Sequence, residues 1–428
     1  MKKNKFKTAV IKHLVFYLAM MFLGPLFAQV NFTEFYGKVV DKNSNKPLEA
    51  VSLSITNKNI GTVTNSEGDF VLKIPNEYLN AQLSINLLGY NPYVIELSNL
   101  PKTDAVIELV QVVTQLSEVS ISAYKDAKLL VEKVFKNKIK NVEDRTINMT
   151  AFYRETIKRR NRNVSLTEAV VNILKQPYDV PVRDAISLNK ARKSTDYKRL
   201  DTLSMKLQGG PFSAIYMDIM KYPDFIFDEN FSNYKFTFNE PSTINDKKVY
   251  VVRFEPINNA LNIIYKGKLF IDVETLALVS ADYALDLRNK RRTKNLLVRK
   301  KPRDIIVYPI VAEYKVNYKL NGDKWYYGYS NLFLKFKVNK KRSLFNKVYT
   351  LSSEMAVTDW EVANSENRFK MRDRLRPTVI IADAISGFSD PEFWGQYNLI
   401  EPEKSIETAI EKIQKSIERE RERQDKTK

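Results

Sequence analysis

Cysteine is absent from this chain of 428 residues, and its one histidine, His13, lies near the start. Without cysteine there is no disulfide framework, no thiolate nucleophile and no soft metal site. Without a later histidine, the usual proton shuttle near neutral pH and the commonest metal ligand are missing too. Ser-His and Cys-His catalysis and His-ligated zinc hydrolysis are thereby excluded from everything past the first residues. Glycine is also scarce, 12 residues against 23 tyrosines and 23 phenylalanines. That balance suits packed β-structure rather than disorder. Neither a phosphate-binding loop nor a dinucleotide fingerprint occurs.

What is present starts with a leader. Residues 1–28 carry five lysines, then an apolar stretch from Leu14 to Leu23, then Gly24-Pro25 before a cut after Ala28. These are the three parts of a secretory signal peptide. The apolar stretch falls well short of the roughly 20 residues that cross a bilayer, so no transmembrane span is expected in the mature chain. With no cysteine after the core, a lipid-anchored protein is excluded. The net charge of +19 includes the five leader lysines, which leaves +14 for the rest. In an exported chain such charge points away from nucleic acid. It points to an acidic glycan, a lipid headgroup or an acidic envelope protein.

From Phe32 to about Val110 short alternating segments are separated by turn residues. Val51, Leu53 and Ile55 alternate with Ser52, Ser54 and Thr56, which places one side on a core and the other in water. Asn65-Ser66-Glu67-Gly68 reads as a hairpin turn between the segments at 61–64 and 70–74. Asp41-x-Asn43-x-Asn45 copies the start of a calcium loop. Lys46 and Ser52 stand where that loop needs glycine and glutamate, so a polar turn is the better reading. The spacing of Gly37-x-Val39-x-Asp41, Pro47-Leu48-x-x-Val51-x-Leu53, Gly61-Thr62-x-Thr64-x-x-x-Gly68-x-Phe70 and Leu88-Gly89-Tyr90 resembles the carboxypeptidase regulatory-like, transthyretin-like β-sandwich. The same module caps many TonB-dependent outer-membrane receptors of Gram-negative bacteria. The resemblance implies a β-sandwich and a secreted setting. It does not imply peptidase activity, because the module is an accessory to the catalytic domain in carboxypeptidases.

Five regions are expected: the signal peptide (1–28), the sandwich (30–112), a linker and helix (113–145), an antiparallel α+β region (146–390) and a C-terminal helical tail (391–428). Residues 112–124, with the run 116–121 within them, form a short linker or edge strand, and a helix starts after Asp126 with Leu130, Val131, Val134, Phe135 and Ile139 on one side. A second helix is expected over residues 211–220, with Pro211 in its first turn. Residues 312–320 alternate strictly, Asn321-Gly322 suits a type I′ turn, and Leu332, Leu334, Phe336 and Val338 face inward on the return. Residues 267–287 form another hairpin. The class is mainly β or α+β: a sandwich followed by a larger curved antiparallel sheet, or half-barrel, with one face buried and one wet. Ile406, Ile410, Ile413 and Ile417 form one stripe of a terminal helix. Beyond the sandwich the layout resembles cell-envelope proteins that pair this module with a region of unknown function.

Ser-x-x-Lys pairs occur at Ser122/Lys125, Ser187/Lys190 and Ser232/Lys235, a spacing that chance supplies in a lysine-rich chain. Trp325, Tyr326, Tyr327 and Tyr329 could stack on sugars, though aromatic strand residues more often build a core. The densest basic stretch holds Arg288, Lys290, Arg291, Arg292, Lys294, Arg299, Lys300, Lys301 and Arg303; Lys158-Arg159-Arg160 and Lys340-Lys341-Arg342 add two smaller clusters. These are the candidate contacts for a polyanion or acidic partner. The expectation is a non-enzymatic exported protein with no cofactor or metal, at the periplasmic or outer-membrane surface of a Gram-negative cell, associated peripherally at most with membrane. Two other readings stay open: a carboxypeptidase-like hydrolase, and an accessory of a TonB-dependent transport system.

Overall fold

The computed structural model describes residues 31–112, 124–160, 162–195, 209–227, 231–240, 242–244, 247–257, 265–288, 293, 305–340, 346–364, 369–381 and 394–402. The leader, the segment at 116–121 and the terminal stripe of isoleucines lie outside these residues. Among the described residues no helix is long and apolar enough to cross a membrane.

The first seven strands are β1 (Phe32–Asp41), β2 (Ser52–Ile55), β3 (Gly61–Val63), β4 (Asp69–Pro75), β5 (Gln82–Asn86), β6 (Tyr93–Glu96) and β7 (Ala105–Leu109). They form two sheets, β4-β1-β7 and β3-β2-β5-β6. Phe35, Val39, Leu53, Ile55, Phe70, Leu72, Leu83 and Ile107 fill the space between them. This is the expected β-sandwich. One detail departs from expectation: β3 and β4 lie in different sheets, so Asn65–Gly68 is an arch between sheets and not a hairpin. The turn still closes locally, because Asn65 Oδ1 accepts from the N–H groups of Glu67 and Asp69 at 2.9 Å. Past it, β3 pairs only with β2, and β4 pairs with β1. Asp41 Oδ1 accepts from Asn43 N (3.1 Å), Ser44 N (2.7 Å) and Ser44 Oγ (2.8 Å), the bonding of a polar Asx turn.

Helix α1 (Ala127–Lys136) is capped by Asp126, whose side chain accepts from Lys128 N at 2.7 Å and Leu129 N at 3.4 Å. Leu130, Val131 and Val134 are buried as the spacing requires. Ile139, expected on the same stripe, is 41% exposed. The ladder breaks at Asn137, and the four-residue α2 (Lys138–Asn141) restarts out of phase.

The remaining strands are β8 (Ile147–Arg159), β9 (Arg162–Lys175), β10 (Ala185–Thr195), β11 (Tyr234–Phe238), β12 (Ser242–Ile244), β13 (Lys247–Pro256), β14 (Tyr265–Asp272), β15 (Leu278–Leu285), β16 (Ile305–Asn321), β17 (Lys324–Lys340) and β18 (Lys347–Val362). They make one antiparallel sheet in the order β10-β9-β8-β18-β17-β16-β15-β14-β13-β11, with β12 pairing on β13. The sheet is open, with β10 and β11 at its ends, as a half-barrel requires. Both predicted hairpins are present. Asn321 pairs with Lys324, however, so Gly322 and Asp323 are the central residues. Gly322 alone has positive φ (+61°), the type II′ pattern rather than I′.

One core lies under the whole core face of the sheet, from Ile173 on β9 to Phe236 on β11. It is closed by α1 and by residues 209–227. That segment opens with α3 (Pro211–Ile215), Pro211 in the first turn as expected. The helix stops at Ile215 instead of running on to Met220, and the turns after it carry Asp218 into the core. Tyr327 Oη and Ser330 Oγ donate to the Ala214 carbonyl at 3.2 and 3.3 Å, holding the segment against β17.

The opposite face of the sheet is only in part the wet face expected, because one end of it is covered. Phe152, Val170, Tyr329 and Ala356 on this outer face pack with Ala50, Val63 and Val71 of the sandwich and with Trp394, Leu399 and Ile400. The sandwich docks here, and the C-terminal strap of residues 394–402 is wedged between the two.

Candidate functional site

Strand register lines up a single transverse row of polar residues on the outer face. It runs Thr237, Arg253, Lys268, Asp282, Lys315, Asn331, Glu354, Arg154, Glu168 and Arg192, one residue from each strand of the sheet path. Cross-strand partners of opposite sign stabilise such a row. Each residue sits in a strand that reads locally as ordinary alternation, so only the register reveals it.

One end of the row is covered. Arg154 donates to Glu168 Oε1 from Nε at 2.8 Å, and Arg192 Nε donates to Glu168 Oε2 at 2.6 Å. Burial alone would raise the Glu168 pKa, but the two guanidiniums outweigh it and hold the carboxyl below its ordinary range. Arg154 also donates to the carbonyls of Ile400 (2.6 Å) and Glu401 (3.3 Å). From the sandwich, Thr62 Oγ1 donates to Leu399 O at 2.7 Å, and Asn398 accepts from Lys73 N at 2.7 Å while donating to Lys73 O at 3.1 Å. The strap is thus bonded to both bodies.

The other end of the row is open. Arg253, Lys268, Asp282, Lys315, Asn331 and Glu354 help to line a groove of about 1030 Å³, with Glu49 and Ser66 of the sandwich on its far side. Burial raises the Asp282 carboxyl despite Lys315 and Lys268 on either side. The groove mixes both signs of charge and suits binding of a polar ligand.

A second buried cluster lies on the core face. Lys175 Nζ sits 2.9 Å from Asp184 Oδ2 and 2.7 Å from Asp218 Oδ2, with all three side chains at most 1% exposed. Tyr178 and Tyr318 donate to Asp218 at 2.9 and 2.8 Å, and Tyr222 donates to Asp184 at 2.8 Å. Burial would discharge Lys175, but the two carboxylates outweigh it and raise its pKa. The cluster ties residues 209–227 to β9 and β16 with its three charged side chains buried, and its role is structural.

Of the nine predicted basic contacts, Arg288 alone is described. It is exposed, and its Nη2 lies 2.5 Å from Asp286 Oδ2. Lys290, Arg291, Arg292, Lys294, Arg299, Lys300, Lys301 and Arg303 lie outside the described residues. Their segment leaves β15 and re-enters β16 at one rim of the sheet. That rim also holds the β8–β9 turn with Lys158, Arg159 and Arg160, and the β17–β18 connection that follows Lys337 and Lys340. The described strand ends that flank these three basic segments, scattered over some two hundred residues of sequence, therefore share one edge.

The aromatic run is core: Trp325, Tyr326, Tyr327 and Tyr329 are each at most 9% exposed. Ser122 lies outside the described residues, and Lys190 of the second Ser-x-x-Lys pair sits over the Tyr397 ring at 5.5 Å. Among the described residues no group of three Asp, Glu, His or Cys side chains is placed to hold a metal ion.

Comparison with the curated proteins gives no match. Among solved structures, the chain is similar to a domain from Vibrio parahaemolyticus described as an outer membrane lipoprotein-sorting protein domain, at 11% identity and TM-score 0.26 over 58% of this chain and 95% of that one. It is likewise similar to a DUF1329 family protein from Desulfovibrio piger, at 11% identity and TM-score 0.25 over 58% and 99%. Neither likeness is close enough to carry an argument. Residues 35–121, which include most of the sandwich, match the CarboxypepD_reg-like domain family.

Proposed function

We propose that this is an exported, non-enzymatic protein of the cell envelope that binds an anionic partner through the basic rim of its large sheet. The observation that supports the reading is that Lys158-Arg159-Arg160 lies on the same rim as the strand ends from which the segment Arg288 to Arg303 and the segment Lys340-Lys341-Arg342 depart. Clustered cations attract phosphate and carboxylate groups over a Debye length, and salt screens the attraction. The secretory leader and the regulatory-like sandwich support a place in the envelope. The absence of histidine and cysteine after residue 13 supports binding over catalysis.

The test is retention of the full mature chain on vesicles containing phosphatidylglycerol and, separately, on an acidic polysaccharide matrix. Salt-sensitive retention is expected on at least one of them, and it should fall sharply in the triple variant Lys158→Glu, Arg160→Glu, Lys337→Glu. Equal retention on neutral and anionic supports at low salt would overturn the reading. Preference for one support identifies the partner as lipid or glycan.

A further inference from the structure

The sandwich turns the polar side of its second sheet toward the large sheet. Leu53 and Ile55 point into the sandwich core, so Ser52 and Ser54 face outward, opposite Asn86 and Ser84 of β5. Across from them stand Asn317 and Lys319 of β16. Together these residues help to enclose a pocket of about 290 Å³ between the two bodies. Lys58 lines it as well, and no Asp or Glu is among its described lining residues.

Lys319 reaches this space because Gly328 faces it: a Cβ there would stand 2.8 Å from Lys319 Cγ. Its ammonium has no hydrogen-bond or ion-pair partner among the described residues. The side chain is partly buried, and desolvation with no carboxylate to offset it pulls its pKa down to about 8. The neighbouring hydroxyl and amide groups can act as donors. Ser84 Oγ already accepts from Asn86 Nδ2 at 2.8 Å, and Asn317 Oδ1 already accepts from Ser280 Oγ at 2.8 Å. A lysine without a carboxylate partner, in one pocket with O–H and N–H donors, suits a negatively charged oxygen.

We propose that this pocket is a binding site for a tetrahedral oxyanion, free phosphate or the phosphoryl group of a larger molecule, held by Lys319 with Ser52, Ser54, Ser84 and Asn317 around it. The site is separate from the basic rim and does not depend on the rim's binding an anionic partner. Binding keeps Lys319 charged, so affinity weakens as pH rises above about 8.

Calorimetric titration of the full mature chain with inorganic phosphate and with glycerol 3-phosphate tests the site. Saturable one-to-one binding is expected, weakened about tenfold or more in Lys319→Met. Gly328→Ala should weaken it too, by displacing the lysine stem, whereas Lys337→Glu on the rim should leave it unchanged. Without ligand, Lys319→Met should melt close to the parent temperature, since its ammonium bonds to no described residue, and this confirms that the variant folds. Tighter binding of the ester assigns a headgroup, and tighter binding of the free ion assigns phosphate itself. No saturable binding of either ligand, or wild-type affinity in Lys319→Met, would overturn the proposal.

Discussion

Arg154 and Glu168 stand opposite each other across the β8–β9 ladder, Nη2 to Oε1 2.7 Å, with side chains 2% and 0% exposed. The same guanidinium holds the carbonyls of Ile400 and Glu401, so it both neutralises a buried carboxylate and fastens the strap. Breaking a buried pair from one side strands its partner. Glu168→Gln should therefore cost about 3–5 kcal/mol in urea unfolding. A loss under about 1 kcal/mol, the scale of an exposed pair, would show that the network does not anchor the strap.

Acid should unfold the protein through the same groups. Burial raises Glu168, but Arg154 and Arg192 outweigh it and leave its pKa below the ordinary 4.5; Glu143, gripped by Arg145 at 2.6 Å, is brought to about 2. Between pH 4.5 and the folded values the unfolded chain binds more protons. The contribution of these carboxylates is thus complete above about 4.5 and is lost as pH falls through that window. Urea midpoints at neutral pH, at 4.5 and at 3 should decline only across the last interval. Arg154→Met should flatten that decline by removing part of the Glu168 shift.

Lys175 is the cation that bridges Asp184 and Asp218 in the core, within 3 Å of both, and its loss should be severe. Lys175→Met leaves two carboxylates facing each other in the core and should cost about 3–5 kcal/mol. Adding Asp218→Asn should recover part of that loss. A double-mutant cycle measures the coupling, and simple additivity would refute a direct contact between the two side chains.

Trp394 packs edge-on against Phe152, ring centroids 5.5 Å apart, with Arg192 5.0 Å above its ring. Trp394→Ala should destabilise by about 3–5 kcal/mol. It should also uncover Phe152, Val170 and Tyr329, which a hydrophobic dye would report as increased fluorescence under native conditions. Unchanged dye binding would mean that the strap does not shield this face.

Much of the local structure was legible from residues close together in the chain. Asp126 before an apolar helical stripe, Gly322 between two alternating runs and the glycines and threonines of the sandwich each act on near neighbours, so the chain spells them out. The errors arise where a distant partner decides. Asn65–Gly68 has hairpin residues, but β3 and β4 were claimed by different sheets. Ser52 and Ser54 alternate as if toward water, yet the large sheet covers them. Lys319 reads as one more solvated lysine of an alternating strand, and no signal near it marks the serines of a segment more than two hundred residues away.

Composition and pattern alone established that imidazole and thiol groups are missing beyond His13 and that the chain is mostly β, and the spaced glycines and threonines carried the resemblance to a regulatory-like sandwich. Those properties depend on which residues exist and on their nearest neighbours. Strand order and register decided everything that joins distant residues: the charged row across the sheet, the buried Lys175 cluster, the strap, the single rim shared by the strand ends that flank the basic segments, and the pocket lined by Lys319. An antiparallel sheet can pair each residue with one hundreds of positions away, and a one-residue slip would turn each of these side chains to the other face.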